Sequence, residues 1–114
     1  MNFETLSLIA NEVVATTLAS LPDELREAAR RVPVLLEKRP DAGDIEAGLD
    51  PDLLGLFDPG PHDTPHIRLW LKNLWEYSDE EEDIFREEVR VTLLHEIGHL
   101  LGWDEEDLDE RGLG

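Results

Sequence analysis

Two histidines one helical turn apart are the residues of this chain best placed for metal chemistry. The stretch His95-Glu96-Ile97-Gly98-His99 has the spacing H-E-x-x-H. Side chains four residues apart lie above one another on one face of an α-helix, so both imidazoles can bind one ion. Two neutral imidazoles and a carboxylate make a zinc site that keeps one coordination position open for water. Glu96 lies about 60° round the helix from His99, where it can take a proton from that water.

The motif lies near the end of a segment with the pattern of a long amphipathic helix. Its apolar band consists of Phe85, Val89, Leu93, Ile97 and Leu100. The acidic run Asp79–Asp83 is predicted to form the first turn, with Ser78 or Asp79 as the cap, because carboxylates favour the positive end of a helix dipole. Gly102 is well placed to end the helix in a left-handed conformation. A short acidic helix over residues 104–109 is expected to follow.

The motif and the residues after it resemble the zincin metallopeptidases, whose extended motif reads H-E-x-x-H-x-x-G-x-x-[H or D]. The chain is similar in particular to the mini-zincins, a family of very small bacterial proteins described as possible zinc metallopeptidases. The resemblance also covers Leu21-Pro22, the run from Asp50 to Phe57, the glutamate-rich approach to the motif, and Asp107-Leu108. It implies a minimal zincin-like α+β domain, a Zn²⁺ cofactor, and hydrolysis of peptide bonds by a metal-activated water.

The resemblance places the third metal ligand at Glu105, three residues after Gly102. Aspartate is usual at this position, but carboxylates of either length bind zinc at similar distances. The neighbouring acids Asp104, Glu106 and Asp107 remain alternatives. The predicted site therefore consists of one general base and three metal ligands: Glu96, and His95, His99 and Glu105.

Two helices and three short strands are predicted before the long helix. The first helix covers residues 3–19; the second has Ser20 as its N-cap, Pro22 near its first position, and ends before Pro33. The strands are predicted at residues 34–37, 53–57 and 66–72. The resemblance implies that one of the last two is an edge beside the cleft, where an extended peptide can add as a further strand. The expected fold is α+β, with a small three-stranded mixed sheet.

The third strand alternates with period two. Ile67, Leu69 and Leu71 are expected to face the core, and Trp70 is expected on the opposite face. Trp75 and Trp103 are also predicted as packing residues, with Trp103 the one beside the site.

Length and composition limit the classes of function that remain. A chain of 114 residues has room for one core, so residues 1–114 are predicted to form one domain. The absence of cysteine excludes disulfides and thiol chemistry. The net charge of −18 disfavours binding to nucleic acid or to anionic membranes. Solubility or adaptation to salt explains this charge, and attraction of basic substrates or mimicry of nucleic acid is the alternative.

A cytoplasmic location is expected by default. The N-terminus carries Glu4 and Glu12 without the basic residues of a signal peptide, and no apolar run approaches the ~20 residues that span a bilayer. The expected partner is a peptide or protein substrate. A homodimer is compatible with so small a fold, although no residue pattern specifies an interface.

The residue that stabilises the developing oxyanion is not specified by any pattern. The candidates are His66, Arg68, Tyr77 and Arg111. His62 and His66 flank a proline-rich loop and are expected to be exposed rather than accessory ligands.

Two functions are consistent with these residues. The first is a zinc-dependent metallopeptidase. The second is a catalytically weak or inactive zincin-like module that binds metal or a protein partner. Met1 is the only methionine, so the methionine turn beneath the metal of larger relatives is impossible here. This absence and the small size favour the second function.

Overall fold

The computed structural model describes residues 1–60 and 64–110, apart from the side chain of Leu108. These residues form six helices and three strands. The helices are α1 (Phe3–Ser20), α2 (Asp23–Ala29), α3 (Ala42–Glu46), α4 (Leu71–Tyr77), α5 (Glu82–Leu100) and α6 (Glu105–Glu110). The strands are β1 (Val34–Glu37), β2 (Gly55–Asp58) and β3 (His66–Trp70). None of these helices has both the length and the apolar character needed to cross a membrane.

The three strands form one mixed sheet in the order β1-β3-β2. Strand β3 pairs parallel to β1 and antiparallel to β2. The predicted α+β class with a three-stranded mixed sheet is therefore confirmed. Of the two strands predicted as an edge beside the cleft, β2 is at an edge and β3 is central.

The core lies where α5 packs against α1, α4 and the sheet. The apolar band predicted for α5 is buried, because four of its residues are at most 3% exposed and Leu100 is partly buried against them. Ile67, Leu69 and Leu71 are at most 1% exposed, as predicted.

Strand β2 approaches α5 closely because Gly55 has no side chain. A Cβ atom at Gly55 would lie 2.6 Å from Cγ2 of Thr92 on α5 and 3.1 Å from Cδ2 of Leu69. The glycine therefore allows the edge strand to lie against the helix turn that precedes His95.

The prediction for residues 66–72 was wrong in two respects. Strand β3 ends at Trp70, and the chain enters helix α4 at Leu71. Trp70 is fully buried rather than on an outer face. Both faces of the sheet are covered at this end, and the Arg68 guanidinium lies 4.9 Å from the Trp70 ring centroid.

The predicted N-cap of the long helix was also wrong. Helix α5 begins at Glu82, and Ser78 is instead at the end of α4, where its hydroxyl donates to the Leu74 carbonyl at 2.7 Å. Asp79 and Glu80 have φ angles of 55° and 57°. The first acids of the run therefore form the turn between two helices, and only the later ones lie in the first turn of α5.

The second helix also begins later than predicted. Ser20 is the last residue of α1, and its hydroxyl donates to the Thr17 carbonyl at 2.7 Å. Pro22 is the N-cap residue of α2. Because the Ser20 hydroxyl is bonded within α1, it does not cap the helix that follows.

Candidate metal centre

Helix α5 ends in a turn that brings the following chain back over its last two turns. Gly102 has a φ of 82°, a left-handed conformation that favours glycine. The N–H of Gly102 donates to the His99 carbonyl at 3.0 Å, and the N–H of Trp103 donates to the Gly98 carbonyl at 3.0 Å. These two bonds form a Schellman motif. The prediction that Gly102 ends the helix in this conformation is confirmed.

A reciprocal cap starts helix α6 immediately after this turn. The N–H of Asp107 donates to the Asp104 carboxylate at 2.9 Å, and the N–H of Asp104 donates to the Asp107 carboxylate at 3.1 Å. Each carboxylate satisfies an N–H that would otherwise lack a partner at the helix start. Glu106 is exposed. Of the four acids considered as third ligand, Glu105 is the one that the structure brings to the histidines.

Three side-chain atoms meet at this point in a nearly equilateral triangle. The Nε2 atoms of His95 and His99 are 3.1 Å apart. Oε1 of Glu105 lies 3.2 Å from each of them. Ligands of a tetrahedral zinc ion with bonds of about 2.0–2.1 Å are separated by about 3.3 Å. The three residues therefore fit a zinc ion, and we call them the ligand cluster.

A main-chain contact determines which nitrogen of His99 faces the ligand cluster. Nδ1–H of His99 donates to the Trp103 carbonyl oxygen at 3.2 Å. Because a carbonyl oxygen only accepts, Nδ1 carries the proton, and the neutral ring presents an unprotonated Nε2. Metal-binding histidines typically have such a partner on their second nitrogen.

Glu96 lies on the same helix but outside the ligand cluster, buried beside β2. The residue is 7% exposed, and its Oε1 accepts a hydrogen bond from the Phe57 N–H at 2.8 Å. In an antiparallel pair, successive residues of a strand direct their main-chain groups alternately toward and away from the partner strand. The Leu54 carbonyl accepts from the Trp70 N–H on β3, so Phe57, three residues later, directs its N–H away from β3. The edge of β2 therefore holds the carboxylate of Glu96.

The pKa of Glu96 is raised above its ordinary value. Burial is the main cause, because it disfavours the charged carboxylate. The Phe57 N–H and the imidazoles of His95 and His99 lower this pKa, and the nearby Glu105 carboxylate raises it. The balance is a carboxylate with increased affinity for a proton, which suits a general base.

Two of the oxyanion candidates have other partners. The Arg68 guanidinium donates to the carboxylates of Glu37 and Asp44. Nδ1–H of His66 donates to the Thr64 carbonyl at 3.2 Å. These contacts account for both side chains without a role at the ligand cluster.

The remaining predicted residues are placed as follows. Tyr77 is 63% exposed. Arg111 and His62 lie outside the described residues. Trp75 is 8% exposed and stacks edge-on against Phe85, which confirms its packing role. Trp103 is half-buried beside the ligand cluster.

Comparison with known families matches residues 29–114 to the zincin-like metallopeptidases. This chain belongs to that family. No curated protein matches the chain. The matched region of this zincin contains all of α5, the turn at Gly102 and Glu105. Membership implies a metal, typically zinc, and His95, His99 and Glu105 are a group of the described residues able to hold one.

Two main-chain groups at the zincin site were not predicted. They are the Phe57 N–H, which binds Glu96, and the Trp103 carbonyl, which binds His99. Nearly every residue has the same main-chain donor and acceptor, so no side-chain pattern marks these two positions.

Proposed function

We propose that this protein is a zinc-dependent peptidase in which Glu96 is the general base. The observation that supports this most directly is the ligand cluster, whose three facing atoms are 3.1–3.2 Å apart. A separate buried carboxylate lies on the same helix and carries a raised pKa. With these three protein ligands, a zinc ion would keep one coordination position open for water, and Glu96 would be the proton acceptor.

In this proposal His95, His99 and Glu105 hold the ion. When bound, Zn²⁺ lowers the pKa of its water to about 7 and polarises the scissile carbonyl. Glu96 accepts the proton of the attacking water and later transfers it to the leaving amine. The Phe57 N–H positions one oxygen of Glu96, so that the carboxylate keeps a defined orientation.

The proposed substrate is a peptide in extended conformation. Gly55, like Phe57, has its N–H and carbonyl directed away from β3, because it occupies the alternate position of the antiparallel pair. The Phe57 N–H is bonded to Glu96, so the N–H and carbonyl of Gly55 and the carbonyl of Phe57 are the groups that can bind a peptide added along the edge of β2. A homodimer, a cytoplasmic location and the single-domain organisation stay predictions.

A second candidate is a zincin-like module that binds metal or protein without efficient catalysis. It is favoured by the exposure of the Glu105 side chain, which is 69% accessible. An exposed third ligand holds a metal less firmly than a buried one, because water competes for it. Zinc content after extensive dialysis separates the two candidates: the peptidase retains one ion per chain.

A digest of a broad peptide library tests the proposed activity. The full chain, loaded with zinc, is compared with Glu96→Gln, and the products are identified by mass spectrometry. We expect cleavage by the native chain and a loss of roughly 10²–10⁴-fold in the variant, because the general base is removed. Zinc content of the variant should be unchanged. Equal activity of the two proteins, or loss of zinc together with activity, would contradict the role of Glu96.

A further inference from the structure

A cavity of about 300 Å³ lies beside Glu96, between α5 and the edge strand β2. Its lining includes His95 and Glu96. Its walls include the apolar side chains of Leu53, Leu54 and Val91. The lining also includes the carboxylate-bearing residue Glu88. The cavity therefore brings Glu88 into the same apolar-walled space as the proposed general base.

Glu88 differs from Glu82 and Glu87 on α5, because the described residues include no ion-pair partner for it. Arg90 pairs with Glu87, and Arg86 pairs with Glu82. Across the described parts of the chain, no lysine, arginine or histidine pairs with Glu88. The helix positions three and four residues away, where such a partner would lie, are occupied by uncharged side chains: Ile84, Phe85, Val91 and Thr92. Glu88 is half-buried in the cavity wall.

We propose that Glu88 is a specificity-determining residue that binds the cationic side chain of a substrate lysine or arginine. This inference rests on the proposed peptidase function. The charge belongs to the residue that contributes the leaving amine, because Glu96, which delivers a proton to that amine in the proposed function, lines the same cavity as Glu88.

The separation of Glu88 and His95 along α5 is comparable to the length of a lysine or arginine side chain. Glu88 precedes His95 by seven residues, which is two helical turns or about 10.5 Å along α5. The Cα atom of the leaving residue is about 2.4 Å from the scissile carbonyl carbon, and a lysine or arginine side chain extends about 6–7 Å further. A lysine or arginine side chain therefore spans most of this separation, whereas a short side chain does not.

The chemistry of the cavity selects the same residues. The apolar walls suit the methylene stem of a lysine or arginine, whose charged end then meets Glu88. An apolar side chain would displace water from the carboxylate without replacing its hydrogen bonds, which is unfavourable. A glutamate in the same place would be repelled. The net charge of −18 attracts cations generally, whereas Glu88 favours a cationic side chain at one position of the substrate.

The test uses zinc-loaded full-length protein and four peptides that differ only in the residue after the cleaved bond: lysine, arginine, norleucine or glutamate. We expect kcat/KM for lysine and arginine to exceed that for norleucine by about 10-fold, the value for a charged contact that is partly open to solvent. Glu88→Gln should reduce this ratio to about one, and Glu88→Lys should favour the glutamate peptide. Glu87→Gln, an equal change of charge outside the cavity, should keep the native preference.

Binding to the zinc-loaded Glu96→Gln variant supplies a measurement independent of turnover. Fluorescently labelled versions of the four peptides should bind in the same order, and the order should be lost when Glu88→Gln is added. Cleavage without preference for lysine or arginine would overturn the role of Glu88 and leave the peptidase proposal intact. Preferential binding without cleavage would support Glu88 and contradict the peptidase. Absence of both binding and cleavage would overturn both proposals.

Discussion

Arg68 on β3 and His99 on α5 each belong to a polar cluster that joins different elements of the fold. The Arg68 guanidinium donates to Glu37 on β1 and to Asp44 on α3, with its side chain only 12% exposed. The cluster around His99 joins two turns of α5 to Glu105 at the start of α6. Both clusters thus connect separate elements of the fold, but they differ in the groups that they contain.

The difference lies in the balance of donors and acceptors. Arg68 donates to both carboxylates and the Asp41 N–H also donates to Asp44, so this cluster is satisfied within the chain. The contacts raise the pKa of the Arg68 guanidinium and lower the pKa of the Asp44 carboxyl. In the ligand cluster, the Glu105 carboxylate only accepts, and it faces the unprotonated Nε2 of His99. A complete cluster stabilises the fold, whereas two acceptors that face each other are suited to bind a cation from solution.

The largest expected effect is the loss of zinc affinity in His99→Ala. Removing a direct ligand should weaken zinc binding by well over about 100-fold, more than changes in the outer contacts of metal ligands cause. Competition with a chromophoric chelator measures this affinity. In the absence of zinc, the variant and the native chain should have nearly the same unfolding temperature, because a metal stabilises a protein only when it is bound. If the variant kept the native zinc affinity, His99 would not be a metal ligand, and the proposed difference between the two clusters would be wrong.

Arg68→Gln should have the opposite pattern. We expect the free energy of unfolding to fall by about 2 kcal/mol, less than for a fully buried pair because Glu37 remains partly exposed to water. Zinc stoichiometry should stay at the native value. Denaturant unfolding and metal analysis of the same sample test both statements. Arg30→Gln, which breaks an exposed pair with Glu27, is the control and should change stability by less than about 1 kcal/mol.

Gly55→Ala tests the contact that brings β2 against α5, between the two clusters. The added methyl group would lie 2.6 Å from Thr92 Cγ2, so the strand or the helix must shift. We expect a loss of about 1–2 kcal/mol in the free energy of unfolding, typical of mild overpacking. Thr92→Ser removes the Cγ2 atom, so the double variant should recover part of this loss. Additive effects of the two changes would show that the contact is not tight.

The smallest expected effect is an acid-sensitive contribution from Asp44. Its pKa is lowered in the folded state, chiefly by the hydrogen bond from Arg68, so the contribution is present above the unfolded pKa of about 3.9. It should be lost as pH falls from there through the folded pKa. In urea unfolding, the difference in free energy of unfolding between the native chain and Arg68→Gln should therefore decrease from about pH 5 to pH 2. A difference that does not change with pH would show that the Asp44 carboxylate is not its source.

The sequence predicted best those features that depend on neighbouring residues in a helix or a turn. The apolar band of α5, the helix end at Gly102 and the approach of His95 to His99 follow from the 3.6-residue period and from glycine conformation. The prediction failed for Trp70 because the alternation of a strand says nothing about what covers its second face. It failed for Ser78 because a hydroxyl can bond either to the helix before it or to the one after.

The sequence by itself thus determined the spacing of two imidazoles and a neighbouring acid, since the rise and twist of a helix act over four residues. Only the tertiary structure decided which of four nearby acids meets those imidazoles, and that the Phe57 N–H holds Glu96. It also decided that Glu88 lines the same cavity as Glu96. The contact of Phe57 with Glu96 and the cavity at Glu88 depend on how strand β2 packs against helix α5, whereas Glu105 is positioned by the turn at Gly102. Main-chain groups such as the Phe57 N–H carry no sequence signature of their own, so their contacts appear only when the chain is folded.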